Sequence, residues 1–197
     1  MARNASKDRL QREARRQQIL DAALEVFSRR GLVASKMSEI AAAVGLSHAN
    51  LYNYFASKEE IYAHLLGTAG SNFVERLSEA RAQPGLAIDK LRWLAETYVQ
   101  SSDIVKYFLL VLQAKTVEMF PYEEKQAMIR QSVDNYRPLI QIMEEGQRDG
   151  SVIQGDPEEK ALLFISLLHG IILLPVKGYP QVSLSAVDTI MRLIKSP

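Results

Sequence analysis

Apolar side chains recur at intervals of three and four residues from Ile19 to the end of the chain, and β-branched residues seldom alternate with polar ones. That spacing places apolar side chains on one face of an α-helix, whereas a half-buried strand alternates at every second residue. We therefore predict an all-α fold. The first helix is expected near residues 9–30, with its inward face formed by Ile19, Leu20, Ala23, Leu24 and Phe27.

Two short helices are predicted after Gly31, which is placed to end the first one. Ser35 or Ser38 is positioned to cap the second helix. Its apolar positions follow the spacing of one helical face. This inward face consists of Met37, Ile40, Ala41 and Val44.

A tight turn separates the second helix from the third. Gly45 offers the positive φ that such a turn demands, and Leu46 fills the turn. Ser47 is placed to cap the third helix, which directs Leu51 and Phe55 inward. Two helices joined in this way form a helix-turn-helix, whose second helix enters the major groove of DNA.

Further helices are predicted along the rest of the chain. The pattern Ser57-Lys58-Glu59-Glu60 resembles a capping box and starts a fourth helix, which Pro84-Gly85 ends. Asp156 and Pro157 form another helix start, because a capping carboxylate precedes proline at the first helical position. Pro138 should kink or divide its helix. The expected helices lie near residues 88–101, 103–120, 122–149, 157–174 and 184–195.

Composition and charge narrow the possible functions. No cysteine is present, which excludes disulfides, thiolate nucleophiles and cysteine-based metal centres. Residues 1–58 contain ten Lys and Arg against five Asp and Glu, a net charge of +5, whereas residues 59–197 carry −4. This excess of basic residues in the N-terminal segment favours a polyanion as the binding partner of that segment. A merely solvated basic surface is the alternative.

The third helix exposes side chains that suit DNA. Asparagine can bind adenine with two hydrogen bonds, histidine can bond a base edge, and alanine can touch a thymine methyl. Tyrosine hydroxyls and a lysine at the next helix start can reach phosphates. The alternative is a packing module with no DNA partner. The groups expected to contact DNA are His48, Ala49, Asn50, Tyr52, Asn53, Tyr54 and Lys58.

The segment SEIAAAVGLSHANLYNYFASKEEIY, residues 38–62, resembles the signature of TetR-family regulators in its aliphatic turn, Leu-Tyr-x-Tyr-Phe core and Ser-Lys-Glu-Glu cap. With the leading helix, this resemblance covers the first quarter to third of the chain. It implies a three-helix DNA-binding head and a C-terminal helical domain for ligand binding and dimerisation. By the resemblance, Ser47, His48, Ala49 and Asn50 approach bases, while Lys36, Tyr52, Tyr54 and Lys58 hold the DNA backbone.

The resemblance also implies a homodimer that binds a palindromic operator in double-stranded DNA. Its last two helices would pair with their copies. The sequence agrees, because apolar residues surround most of the helix at 157–174, more than one intramolecular face requires. A helix buried within one monomer is the alternative. The expected interface residues are Phe164, Leu168, Ile171, Ile172, Leu184, Val187, Met191 and Ile194.

A small-molecule effector is implied as well, and a largely apolar one is favoured by the aromatic residues that precede the last two helices. The chain would act as a repressor that the effector releases from its operator. We divide the chain into a DNA-binding domain at 1–57 and a ligand-binding and dimerisation domain at 58–197. Expected pocket residues are Trp93, Tyr98, Tyr107, Phe108, Met119 and Phe120.

Other functional classes are disfavoured. An enzyme is not expected, since no nucleophile elbow, phosphate-binding glycine loop or metal-ligand spacing occurs, and we expect no cofactor or metal. A cytoplasmic location is expected, because no signal-like apolar stretch follows the basic N-terminus. The most apolar run, residues 161–176, is shorter than the ~20 residues of a membrane span. A protein-interaction module remains the second alternative.

Overall fold

The computed structural model describes residues 2–116, 123 and 134–197, and most of them are helical. This part of the chain contains no β-strand, only an isolated bridge between Val152 and Lys195. The all-α prediction is therefore confirmed. The described helices are α1 (Ala2–Ala34), α2 (Met37–Ala43), α3 (His48–Leu51), α4 (Lys58–Ala82), α5 (Ala87–Gln100), α6 (Ser102–Thr116), α7 (Arg137–Asp149), α8 (Pro157–Ile172) and α9 (Ser185–Ile194), with a 3₁₀ turn at Pro175–Lys177.

The inward face of α1 is the one that the apolar spacing predicts. Ile19, Ala23 and Phe27 are fully buried, and the Phe27 ring meets the edge of Tyr62 at a centroid distance of 5.4 Å. Gly31 leaves helical geometry, with φ 74° and ψ 166°, but helical structure resumes and reaches Ala34. Gly31 thus kinks the helix and does not end it, and α1 extends four residues beyond the predicted end near residue 30.

The start of α2 differs from the prediction. Neither Ser35 nor Ser38 caps this helix: the Ser35 hydroxyl donates to the Gly31 carbonyl at 2.6 Å, and Ser38 lies inside the first turn. The helix begins after Lys36, whose backbone N–H donates to the Glu39 carboxylate at 3.0 Å. Glu39 thus supplies the carboxylate half of a capping box, and no serine hydroxyl accepts from the first N–H groups of this helix.

The predicted helix starts at Ser57 and Asp156 are confirmed. Ser57 Oγ accepts from the Glu60 N–H at 3.1 Å at the start of α4, while Glu60 itself accepts from the Ala56 N–H. Asp156 accepts from the Glu158 N–H at 2.9 Å, and α8 begins with Pro157. Pro138 lies in the first turn of α7, after a turn at residues 135 and 136, so a new helix begins there.

The chain forms two compact units, and two of the limits between them fall inside α4 and α6. One unit contains Met1–Ala69 and Lys106–Val117, and the other contains Gly70–Val105 and Glu118–Pro197. The domain boundary predicted after residue 57 coincides with the start of α4, whereas the first compact unit continues along that helix to Ala69. The first turns of α4 belong to this unit because Tyr62 and Leu65 are buried in its core.

The second unit is a helical core built by α5, α7, α8 and α9. Buried side chains from each helix meet in it, among them Leu91, Leu139, Phe164 and Met191. Polar contacts join the helices at the margin: Lys90 of α5 pairs with Glu145 of α7 at 2.7 Å, and Arg92 pairs with Asp188 of α9 at 2.6 Å. No helix in the described residues is both long and apolar enough to cross a membrane.

Candidate nucleic-acid interface

The short helix α3 is fixed at its start and along one side. Ser47 Oγ accepts a hydrogen bond from the Asn50 N–H at 3.2 Å, so the predicted cap is confirmed. Leu51 and the following Phe55 are 0% and 1% exposed. Because the apolar side chains of this segment point into the core, its polar side chains are left to face solvent.

The turn before α3 has the conformation expected from its glycine. Gly45 adopts φ 67°, and the Leu46 N–H donates to the Ala41 carbonyl at 2.9 Å. A Cβ at Gly45 would meet no atom within 4 Å. The positive φ, rather than a lack of space, therefore favours glycine at this turn.

The predicted DNA-contacting residues are mostly exposed in the first compact unit. The rings of His48 and Tyr52 meet edge to face at a centroid distance of 5.1 Å. Tyr54 is half-buried, and the Arg12 guanidinium lies 5.7 Å from the centre of its ring. The exposed members of the set are Lys36, Ser47, His48, Ala49, Asn50, Tyr52 and Asn53.

Lys58 has a structural role that the sequence did not indicate. Its ammonium group donates to the backbone carbonyls of Leu32, Val33 and Ser35 at 2.9, 3.2 and 2.9 Å. A lysine ammonium has three N–H donors, so these bonds occupy all of them. Lys58 thus caps the end of α1, and a direct phosphate contact would require it to give up at least one of these bonds.

Three arginines of α1, none of them among the predicted site residues, hold the turn and α3 in place. Arg15 donates to the Val44 carbonyl at 3.1 Å, and Arg12 donates to the Asn53 carbonyl at 2.9 Å. Arg16 donates to the Tyr54 carbonyl and lies over the Phe55 ring. Arg12 and Arg16 continue the stripe of Ile19, Ala23 and Phe27 toward the N-terminus, and this spacing was the available signal.

The residues predicted to line an effector pocket are divided between the two units. Trp93 and Tyr98 belong to one unit, and Tyr107 and Phe108 belong to the other. Met119 and Phe120 lie outside the described residues. The pocket lining stays a prediction.

Tyr98 is the most buried of the predicted pocket residues, at 3% exposure. Its ring lies 5.9 Å from the ring of His169. Burial raises the pKa of the Tyr98 hydroxyl well above its usual value, Tyr136 raises it further, and Arg76 partly offsets the effect. Described residues contain no cluster of three or more His, Cys, Asp or Glu that could hold a metal ion.

The predicted dimer residues lie mainly inside the second unit. Of the eight residues, Ile171 is partly exposed and Leu184 is exposed, whereas the other six are buried in the core of this unit. A different apolar set faces outward on these two helices: Leu162, Leu163, Leu167 and Leu193. The buried residues are Phe164, Leu168, Ile172, Val187, Met191 and Ile194.

Comparison with known proteins places this geometry among transcription regulators. The family described as "Bacterial regulatory proteins, tetR family" matches residues 19–65. The "Fatty acid metabolism regulator protein" of Bacillus subtilis (strain 168) is 27% identical over 153 residues, 74% of each protein. The "HTH-type transcriptional activator FasR" of Mycolicibacterium smegmatis is 43% identical over 77 residues, 39% of this chain but 35% of that protein.

The fold extends beyond the matched segment. A crystal structure of AibR in complex with isovaleryl coenzyme A and operator DNA superimposes with a TM-score of 0.71 at 18% identity. The match covers 93% of this chain and 99% of that one. The shared architecture therefore includes the helices that follow the helix-turn-helix.

Proposed function

The chain belongs to the TetR family of bacterial regulatory proteins, and we propose that it is a ligand-responsive transcription regulator that binds a specific operator sequence. One observation carries this proposal: α3 keeps Leu51 and Phe55 in the core while it exposes imidazole, amide and phenol groups beside a tight turn. A second helix held in this way is suited to enter a major groove.

We assign base reading to the exposed groups nearest the start of α3. Asn50 has both a donor and an acceptor for adenine, and His48 can bond a base edge. Ser47 and Ala49 would approach the same bases. Lys36, Tyr52 and Tyr54 would bind phosphates, since half to two-thirds of protein–DNA hydrogen bonds go to the DNA backbone.

The regulator would act as a homodimer through the outward face of α8 and α9. Three leucines of α8 and one of α9 are 40% to 59% exposed although they are large and apolar. Exposed apolar patches of this kind favour association. A two-fold dimer would pair the face with its own copy and would require an operator with inverted symmetry. Leu163, Leu167 and Leu193 therefore replace the buried residues as the proposed contacts.

The proposed effector is a small molecule with a substantial apolar part. Two similar proteins point in this direction: one is named for fatty acid metabolism, and the structure of the other contains isovaleryl coenzyme A. An acyl thioester or a fatty acid is accordingly the class that we favour. We propose repression with release by the effector, and an intracellular protein without catalytic activity.

Release from the operator would follow from a change in the spacing of the two DNA-binding domains of the dimer. Recognition helices of a dimer must meet half-sites ~34–36 Å apart, so an effector that binds better to a wrongly spaced form lowers operator affinity. The first and second compact units divide inside α4, between Ala69 and Gly70. We propose α4 as the connection through which effector binding alters the heads.

Selection from random DNA tests this function. Purified protein should enrich fragments that contain an inverted repeat, and fatty acids and acyl thioesters should then be screened for release. Enrichment of a site without inverted symmetry would contradict the dimer. The alternative of a protein-interaction module predicts no enrichment at all.

A further inference from the structure

A groove of about 530 Å³ opens beside α3 in the first compact unit. One wall comes from the first turns of α1, before the segment that matches the family. The other wall comes from the turn and the polar side of α3. The groove is lined by Asp8, Gln11, Arg12, Leu46, Asn50, Asn53 and Tyr54.

We propose that this groove holds a stretch of the DNA sugar-phosphate backbone next to the bases that α3 reads, with Arg12 as its phosphate-binding residue. The proposal rests on the proposed function and extends it to a separate contact. It adds the start of α1 to the DNA-binding surface of this chain.

The position of the groove indicates that it binds the DNA backbone and not the bases. Asn50 and Asn53 belong both to the groove wall and to the exposed side of the reading helix. A major groove is ~12 Å wide and is bordered by phosphates on both sides. A helix inserted into it is therefore flanked by backbone, and a cleft beside that helix lies where a strand can pass.

The chemistry of the lining also fits phosphate. Arg12 supplies a guanidinium, Gln11 and Asn53 supply amide N–H groups, and Tyr54 supplies a hydroxyl. These are groups that bind phosphate oxygens in protein–DNA complexes. Guanidinium has five N–H donors, and the contact with the Asn53 carbonyl uses one of them. Arg12 can thus hold the end of α3 and a phosphate together.

Asp8 is the member of the lining that opposes an anion. Its carboxylate would repel a phosphate in the groove, although it is exposed and therefore screened by salt. Basic residues outnumber it nearby: Lys7, Arg9 and Arg12 lie within four positions along α1. The proposal consequently predicts that neutralising Asp8 strengthens DNA binding.

The first test measures the salt dependence of binding to the selected operator. Each neutralised phosphate contributes a slope of ~0.9 to the fall of log K with log salt concentration. Arg12→Gln should reduce the slope by ~1, Arg12→Lys should largely restore it, and Asp8→Asn should increase affinity most at low salt. Arg29→Gln is the matched control, because Arg29 lies on the same helix and pairs with Glu25 at 3.5 Å.

The second test uses the wild-type protein and ethylated DNA. Ethylation of phosphates that flank the bases read by α3 should interfere with binding. Because Lys36 and Tyr52 are also proposed to bind phosphates, the interference is compared between wild type and Arg12→Gln. Ethylation of the phosphate held in the groove should weaken binding of the wild type and have a smaller effect on the variant.

The outcomes separate this inference from the proposed function. If wild-type protein binds the operator while flanking ethylation is harmless and Arg12→Gln keeps the wild-type slope, the groove proposal is overturned and the regulator stands. A changed base preference with an unchanged slope also overturns it, since Arg12 would then act only through Asn53. If wild-type protein binds no duplex, both proposals fail.

Discussion

The Tyr62 hydroxyl donates a 2.8 Å hydrogen bond to the backbone carbonyl of Leu110, which fastens α4 to α6 inside the first compact unit. Tyr62 is completely buried, and its ring also packs against Phe27. This contact helps to fix the start of α4 behind the helix-turn-helix.

Replacement of Tyr62 by Phe should remove this bond while it preserves the ring. We expect a loss of about 0.5–1.5 kcal/mol in the free energy of unfolding at pH 7, the usual value of an intramolecular hydrogen bond. Denaturant unfolding of the two proteins measures the difference. An unchanged free energy of unfolding would contradict the contribution of the bond.

The same pair predicts a dependence on alkaline pH. Burial raises the pKa of Tyr62 to about 12, from 10.0. The folded state therefore keeps the hydroxyl neutral where the unfolded chain ionises, and its contribution is complete below pH 10 and is lost as the pH rises toward 12. The stability advantage of wild type over Tyr62→Phe should shrink across that interval. An advantage that stays constant up to pH 12 would refute the pKa shift.

Lys58 and Lys36 should differ in what their removal changes. Lys58→Ala removes three bonds to carbonyls near the end of α1, so it should lower the midpoint of thermal unfolding and weaken binding to all DNA sequences. Lys36→Ala should leave thermal unfolding unchanged and reduce the salt slope by ~1, as loss of a phosphate contact does. Thermal melts and DNA titrations of both variants check the contrast. Equal thermal midpoints for the two would count against the cap.

Asn50→Ala tests base reading. We expect a loss of roughly 1–3 kcal/mol on the selected operator and a relaxed preference at one base step, because the variant cannot form the bidentate contact with adenine. The side chain is exposed, so folding should be unaffected. Titration against the operator and against single-base variants measures both effects. Equal losses on operator and random DNA would refute this role.

The outward leucines of α8 should hold the dimer together. Leu167→Glu should shift the protein toward monomer in sedimentation experiments, because a charge would be buried at an apolar interface. Leu86→Glu is the control, since Leu86 is similarly exposed but is the residue before α5 and belongs to neither α8 nor α9. If Leu167→Glu sediments as wild type does, a different surface forms the dimer.

Gly146 should be intolerant of a side chain. A Cβ on this residue of α7 would lie 2.8 Å from Val152 Cβ and 3.0 Å from Ala87 Cβ, so Gly146→Ala should destabilise the second unit by about 1–3 kcal/mol, as overpacking does. Gly67→Ala is the matched control in α4, where nothing lies within 4 Å. Alanine should stabilise that helix slightly. Chemical unfolding of the pair checks the sign of each change.

Local signals predicted the helices well. Apolar spacing identified the buried face of α1, and the caps at Ser47, Ser57 and Asp156 follow from hydrogen bonds within a few residues. The prediction that Ser35 or Ser38 caps α2 was wrong. The sequence did not show that the Ser35 hydroxyl donates to the Gly31 carbonyl instead, or that Ser38 lies inside the first turn.

Contacts between segments that are distant in the sequence could not be predicted from the sequence alone. Lys58 matched a phosphate-binding position by resemblance, yet the structure directs it to carbonyls about 25 residues earlier in the chain. The apolar residues of α8 surround much of the helix, so their spacing did not separate the core side from the outward side. Phe164 and Leu168 prove to face the core, while Leu163 and Leu167 face outward.

The central claim is that the surface opened at Ser47 binds duplex DNA in a sequence-dependent way. The most direct measurement is a titration of labelled operator and random duplexes with the wild-type protein over a range of salt concentrations. We predict that log K falls linearly with log salt on both, and that the operator binds at least ~10³-fold more tightly. Absence of salt-sensitive binding to every duplex, with and without candidate effectors, would contradict the account.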